Sequence, residues 1–214
     1  FNALPTQISD DFMTKQYFQQ PNQIMVTRHR RNFDQDHEGT DITFGTLTGY
    51  PCCFSNMHQG WPKFTQHLWY ATPDNGIAAF SYSPSEVTAK VGNNVSVVIS
   101  EDTYYPMDNR ISFTIKEVKN KTKQVEFPLH LRIPKWCKRA EIIVNGKAEQ
   151  YIEGGRIAVI NRIWKRNDNV ELHLPMEVST STWYENAVTI ERGPLVYALK
   201  IKENWKKENL NNSW

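Results

Sequence analysis

The chain has 214 residues, of which 39% are hydrophobic and 12% are aromatic, and its formal net charge is +2. This apolar content is enough to bury a core, and the length fits one large domain or two small ones. The balanced charge gives no indication of a nucleic-acid partner, and the absence of a run of about eighteen apolar residues excludes a predicted helical membrane span.

The first fifty residues show little regular pattern. Alternation of apolar and polar residues over 16–26 predicts one strand, and the polar stretch 32–40 predicts a loop. Basic clusters at 28–31 and 206–207 are interpreted as solvated loop surfaces. Residues 1–5 include no initiator methionine and start no leader pattern, so we expect the chain to be an internal fragment of a larger protein.

The segment with the most reactive side chains contains two adjacent cysteines, Cys52 and Cys53. Neighbouring cysteines bridge each other only through a strained ring, so the pair favours metal binding or one reactive thiolate. Burial as two small apolar residues is the other interpretation, because zinc-binding cysteines are usually separated by two to four residues. The third cysteine, Cys137, has no second thiol nearby and is predicted to be a buried structural residue.

Apolar residues recur at helical spacing after the cysteine pair. These residues are Met57, Trp61, Phe64 and Leu68. Their spacing of four, three and four places them on one face and predicts a helix that ends near Tyr70. Because proline is costly inside a helix, either this helix begins near Trp61 with Pro62 in its first turn, or it is kinked at Pro62.

From Ile77 onward the sequence changes to short alternating runs that predict strands. The predicted strands are 78–82, 95–100, 110–117, 127–133, 141–144, 156–160, 169–174, 187–190 and 195–199. Turn-forming residues such as Asn145-Gly146 separate them, and many short strands at this spacing predict a β-sandwich. Trp136 and Trp164 are expected to fill the space between its sheets rather than to bind a ligand.

Seven sequence blocks occur here in the order in which a known family has them. The blocks are 1–5 with Tyr17 and Asn22 after it, Cys52-Cys53-Phe54-Ser55-Asn56, 103–106, 127–137, 144–146, 174–176 and 191–197. Together they resemble glycoside hydrolase family 127, the β-L-arabinofuranosidase family, which has a Cys-Cys-x-x-Asn element. The resemblance implies a mainly β chain, with a remnant of an (α/α)6 barrel over 1–72 and a β-sandwich domain over 73–214.

The same resemblance implies a zinc-thiolate site. Cys52 would be the nucleophile and a zinc ligand, and Cys53 would be a second zinc ligand. The other ligands and the acid/base glutamate lie upstream in the family and have no counterpart in this chain. Tyr17, Asn56 and His58 are candidates for substrate binding, although Tyr17 also fits a strand aromatic and His58 a surface histidine.

The implied substrate is a carbohydrate, namely β-linked L-arabinofuranose of plant polysaccharides. A zinc-bound thiol is deprotonated and could attack an anomeric carbon. A carboxyl group about 5 Å away would protonate the leaving oxygen. The fragment alone is expected to be inactive. A non-catalytic carbohydrate-binding or structural β-sandwich and a closed zinc-binding structural module stay open as alternatives. The sequence indicates no oligomeric state, and periplasmic, secreted and cytoplasmic locations all fit it.

Overall fold

A computed structural model describes residues 3–19, 39–200, 202 and 204. The described helices are short and lie in the first third of the chain. They are α1 (Ala3–Thr6), α2 (Pro51–Asn56) and α3 (Gly60–Gln66), with a 3₁₀ turn at Met57–Gln59 between α2 and α3. No helix in these ranges is long and apolar enough to cross a membrane.

Strands make up most of the described residues after Leu68. They are β1 (Trp69–Ala71), β2 (Ile77–Ala79), β3 (Ser85–Val91), β4 (Val95–Thr103), β5 (Arg110–Lys119), β6 (Gln124–Arg132), β7 (Arg139–Val144), β8 (Lys147–Glu153), β9 (Ile157–Lys165), β10 (Asn169–His173), β11 (Val178–Thr182), β12 (Val188–Arg192) and β13 (Leu195–Tyr197).

Two sheets pack face to face and share one core. The first has four strands in the order β1-β2-β6-β9, and the second has six in the order β3-β4-β5-β10-β7-β8. Strands β2 and β6 are parallel, and the other paired strands of both sheets are antiparallel. A third sheet, β11-β12-β13, follows in sequence. The mainly β chain with a β-sandwich, as predicted from the sequence, is confirmed.

The inward residues of both sheets alternate with outward polar ones, which is why the strands bury one face. Trp164 is fully buried, and its indole Nε1 donates to the carbonyl oxygen of Phe127 at 2.9 Å. Burial of such a ring with its N–H satisfied contributes strongly to a core. Trp136 packs half-buried against the same core, and Cys137 is fully buried. The predicted burial of Trp164 and Cys137 is therefore confirmed, and Trp136 contacts the core without being fully buried.

Four strands that the sequence pattern did not predict are β1, β3, β8 and β11. Each of them is an edge strand of its sheet. An edge strand pairs with a neighbouring strand on one side only, and its other side faces solvent. Strand β3 does show a period of two, because its exposed polar residues alternate with apolar residues that face the core, so its pattern could have been recognised in the sequence.

The predicted helix ends too late at Tyr70, whereas the alternative in which it begins near Trp61 with Pro62 in its first turn is confirmed, because α3 begins at Gly60. Helical structure begins at Pro51, ahead of the apolar repeat, and ends at Gln66, because Trp69–Ala71 pairs with Ile77–Ala79 as a strand. Pro62 lies in the first turn of α3, where the missing N–H costs no helical hydrogen bond. Leu68 is buried as the periodicity predicts, whereas Trp61 is 47% exposed.

The strand predicted over 16–26 is also wrong as far as the structure describes it. Residues 16–19 form no strand, and Lys15 makes only isolated bridges to Ile8 and Gly45. The rest of that strand lies outside the described residues, as do Asn22, the basic clusters at 28–31 and 206–207, and most of the loop predicted over 32–40. The domain boundary between 72 and 73 stays a prediction.

Glu101 is a carboxyl group inside the sandwich. It lies on β4 with its side chain directed inward and is 3% exposed. The backbone N–H of Ser83 donates to its Oε1 at 2.9 Å, and the Ser85 hydroxyl donates to its Oε2 at 3.3 Å. Burial raises the pKa of Glu101 to about 8, and these two hydrogen bonds only partly oppose that effect.

Stability is expected to fall as the pH rises through neutrality, because of Glu101. Between its ordinary pKa of 4.5 and its folded pKa of about 8, the folded protein keeps a proton that the unfolded chain has lost. Glu101→Gln removes the free-energy cost of keeping or burying the ionised carboxyl group. The substitution should therefore raise the free energy of unfolding at pH 8 by a few kcal/mol, since a pKa difference of one corresponds to about 1.4 kcal/mol. At pH 4.5 the two proteins should be nearly equal. Urea unfolding of both proteins across this pH range is the measurement, and a wild-type stability that does not change with pH would contradict it.

Candidate functional site

The cysteine pair lies in the first turn of helix α2. Pro51 occupies the first helical position, where its fixed φ suits the helix and its missing N–H is not needed. Tyr50 precedes it in an extended conformation without a side-chain cap. Cys52 and Cys53 follow directly, and both thiols are exposed with their Sγ atoms 3.9 Å apart. The interpretation of the pair as two buried apolar residues is therefore wrong.

Tyr17 reaches the cysteine pair from a distant part of the chain. Its hydroxyl oxygen lies 3.8 Å from Cys53 Sγ, and its ring meets Tyr50 edge-on. The hydrogen bond with Cys53 is the main reason that the pKa of Tyr17 lies above its ordinary value, and partial desolvation adds to it. Tyr17 therefore stays neutral, and its hydroxyl can donate a hydrogen bond to Cys53 Sγ.

Gly49 makes this arrangement possible. Its φ is +64°, and a Cβ atom at this position would lie 2.1 Å from Cγ of Tyr17. A side chain here would both strain the backbone and displace the ring. The sequence offers no signal that links Gly49 to Tyr17, because the two residues lie 32 positions apart and meet only in the folded chain.

Asn56 supports the pair through the backbone. Its Nδ2 donates to the carbonyl oxygen of Cys52 at 2.7 Å, and Gln59 Nε2 donates to its Oδ1. Gln59, which sequence reasoning missed, thus fixes the orientation of the Asn56 amide. Both hydrogen-bonding groups of that amide are occupied, so Asn56 holds the turn of helix that carries Cys52.

His58 lies apart from these contacts. It is exposed in the 3₁₀ turn, and within the described ranges no hydrogen bond or ion pair joins it to the cysteines. Lys15, which the sequence did not single out, has its ammonium group 5.0 Å from the centroid of the Phe54 ring. This cation–π contact links the segment around Tyr17 to α2.

The two thiols match part of a zinc site. Two thiolates on one tetrahedral zinc, each with a Zn–S distance of about 2.3 Å, have sulfur atoms about 3.8 Å apart. The observed Sγ–Sγ distance of 3.9 Å agrees with this value. Among the described residues no group of three or more His, Cys, Asp or Glu side chains could hold a metal ion. The described part of the chain thus supplies two donors of the right chemistry and spacing.

The fold and the site together define a β-sandwich domain preceded by a helical segment that presents two thiols. Residues 76–176 match the family model described as "Beta-L-arabinofuranosidase, GH127 middle domain". This segment is therefore a middle domain of glycoside hydrolase family 127, and the family resemblance read from the sequence is confirmed. No curated protein matches the chain significantly.

Solved structures share the fold over most of the chain. A protein described as a glycoside hydrolase is 24% identical with a TM-score of 0.74, and the match covers 92% of this chain and 32% of that one. A family 127 β-L-arabinofuranosidase from Geobacillus stearothermophilus T6 is 24% identical with a TM-score of 0.72, covering 89% and 30%. A family 127 β-arabinofuranosidase is 22% identical with a TM-score of 0.60, covering 72% and 27%. The chain thus spans about a third of the length of the solved structures that it matches.

Proposed function

We propose that the full-length protein containing this chain is a retaining glycoside hydrolase that acts on β-L-arabinofuranosides of plant polysaccharides through a zinc-bound cysteine thiolate. The observation that carries the proposal is the exposed cysteine pair with its Sγ atoms 3.9 Å apart. The family 127 middle domain that follows it in sequence supports the reaction class. Two of the similar solved proteins are described as arabinofuranosidases, which supports the sugar.

The contacts of the two cysteines differ, and this difference supports separate roles. Cys53 Sγ meets both Cys52 Sγ and the Tyr17 hydroxyl, so it is held from two sides. In the described chain Cys52 Sγ has only Cys53 as a hydrogen-bonding neighbour, which leaves it open to an incoming sugar. Cys52 would therefore be the nucleophile and a metal ligand, and Cys53 a metal ligand that Tyr17 orients.

The reaction needs two displacements at the anomeric carbon. Cys52 Sγ attacks this carbon and forms a thioglycoside while the glycosidic C–O bond breaks, and a carboxylic acid gives its proton to the leaving oxygen. The resulting carboxylate then takes a proton from water, whose oxygen displaces the sulfur and restores the Cys52 thiolate. Zinc, when bound, would keep the thiols deprotonated. The acid/base carboxyl group and the remaining ligands would come from outside these 214 residues.

Metal analysis of the full-length protein tests this proposal. We expect about one zinc per molecule in the wild type, together with release of L-arabinose from an aryl β-L-arabinofuranoside. Cys53→Ser should lose most of the zinc, because serine is a far poorer ligand than a thiolate. The matched control is Cys137→Ala. It removes a buried thiol that is not proposed as a zinc ligand, so the variant should keep the metal.

A folded wild-type protein with neither zinc nor activity would overturn the proposal. That outcome would favour the second candidate, a non-catalytic carbohydrate-binding or structural β-sandwich. One observation favours this alternative: the described residues bring only two of the four expected zinc ligands together. Zinc bound without any L-arabinose release would instead favour a structural zinc module.

A further inference from the structure

A polar groove with a volume of about 420 Å³ opens on the sandwich, and it shares no residue with the cysteine site. Three turns and two adjacent strands build it, because the turn after β1, the β3–β4 turn and the β5–β6 turn meet beside β6 and β9. The lining residues that carry the argument are Asn93, Asn120, Glu126, Pro128 and Asn161, with Asp74 at one end.

The lining chemistry is that of a site for neutral hydroxyl groups. Asn93, Glu126 and Asn161 are exposed, and their side chains make no hydrogen bond to any other described residue. Planar amide and carboxylate groups can pair with adjacent sugar hydroxyls as donors and acceptors. None of the described lining residues is lysine or arginine, and Asp74 and Glu126 are acidic, so an anionic ligand is disfavoured.

Asn120 supplies an acceptor that lacks a donor. Its Nδ2 donates to the carbonyl oxygen of Gln124 at 2.7 Å, which fixes the orientation of the amide. Its Oδ1 is buried and has no hydrogen-bond partner among the described residues. Such unpartnered acceptors are rare in folded proteins, and this one lies inside the groove wall, where its partial negative charge adds to the polar character of the groove.

The walls of the groove are held before any ligand arrives. A Cβ atom at Gly76 would lie 2.2 Å from the carbonyl oxygen of Pro128, and one at Gly92 would lie 2.5 Å from that of Glu126. Both turns therefore pack directly on the β6 backbone. The N–H of Gly92 donates to the carbonyl oxygen of Asn75 at 2.7 Å, which ties the two turns together. A rigid wall reduces the conformational entropy that the protein loses when a ligand binds.

We infer that this groove binds a segment of a neutral polysaccharide chain. The groove is open to solvent rather than enclosed, which suits part of a larger ligand such as a polymer better than a small metabolite. The side chains of Asn93, Glu126 and Asn161 pair with sugar hydroxyls, and Pro128 offers an apolar surface to the ring carbons. This inference is independent of the proposed catalytic function, because the cysteine pair contributes nothing to the groove.

Affinity electrophoresis of the full-length protein tests the groove. The probes are arabinoxylan, a neutral polymer, and polygalacturonate, an acidic one, and the Cys52→Ser background prevents hydrolysis of the probe. We expect arabinoxylan to retard the protein and the double variant Asn93→Ala/Asn161→Ala to weaken that binding about tenfold, as the loss of two or more hydrogen bonds implies. Release of L-arabinose from a small aryl glycoside should be unchanged when the double variant is made with Cys52 intact.

Glu126→Ala and Glu149→Ala form a matched pair of single variants. Both glutamates are exposed on strands, but Glu126 lines the groove on β6 and Glu149 lies on β8 of the other sheet. Glu126→Ala should weaken arabinoxylan binding, and Glu149→Ala should leave it unchanged. Three results would overturn the inference. They are no retardation by arabinoxylan of the protein with an unchanged groove, equal retardation of the proteins with and without the groove substitutions, or equally strong binding of polygalacturonate.

Discussion

Cys52→Ser in the full-length protein is expected to abolish hydrolysis of β-L-arabinofuranosides, with a loss of at least about a thousandfold in kcat. The serine hydroxyl keeps the shape of the thiol, but it is not deprotonated near neutral pH and is a much weaker nucleophile. Because Cys52 is exposed and its side chain packs into no core, the fold should survive the change. Release of L-arabinose from an aryl β-L-arabinofuranoside is the measurement, with circular dichroism to check folding.

The other two cysteines provide the controls for this prediction. Cys137→Ala removes a thiol that is fully buried in the sandwich core, so it should cost some stability and leave kcat unchanged. Cys53→Ser should lower activity together with zinc content. A Cys52→Ser protein that keeps its activity within tenfold of the wild type would show that this thiol is not the nucleophile.

Gly154→Ala is expected to produce the largest loss of stability among single substitutions in the β8–β9 turn, about 3 kcal/mol in the free energy of unfolding. A Cβ atom at Gly154 would lie 2.1 Å from the carbonyl oxygen of Cys137 and 2.6 Å from that of Pro134. These oxygens belong to backbone that cannot rotate away as a side chain could. The turn is also tied to this segment by the hydrogen bond from Gly155 N–H to the Ile133 carbonyl oxygen at 2.9 Å.

Gly146→Ala is the matched control for Gly154→Ala. Gly146 lies in the β7–β8 turn with a φ of +77°, and nothing lies within 4 Å of the position that its Cβ would take. Alanine there costs only the strain of a left-handed backbone, about 1 kcal/mol. Urea unfolding of the two variants separates close packing from backbone strain. Equal losses in both variants would refute the packing explanation for Gly154.

The central strands were predictable because each carries its own burial pattern. Strands β4, β5, β6 and β10 all overlap runs whose alternating apolar residues turn out to face the core. A strand with neighbours on both sides buries one face completely, so the period of two is visible in the sequence. Edge strands are less uniform, because β9 alternates clearly and was predicted, whereas β1 was not. Trp69–Ala71 was read as the end of a helix, although its pairing with β2 makes it a strand.

The residues of the candidate site also fall into two groups, those that lie close together in the sequence and those that only the fold brings together. Cys52, Cys53 and Asn56 lie within one turn and a half of helix, so the sequence itself places them together. Tyr17 approaches Cys53 from 36 positions away, and this contact depends on the space that Gly49 leaves for the ring. Gln59 was not recognised either, because a glutamine in a polar stretch has no pattern until its partner amide is known.

The amino-acid sequence by itself determined the β-sandwich, the buried Trp164 and the adjacent pair of thiols, because alternation and adjacency are local properties of a chain. Only the tertiary structure decided which strands form the edges, that Glu101 is buried and keeps its proton to a pKa of about 8, and that Tyr17 meets Cys53. These features arise from contacts between residues far apart in sequence. Their energies come from desolvation and close packing, which no single segment can show before the chain has folded.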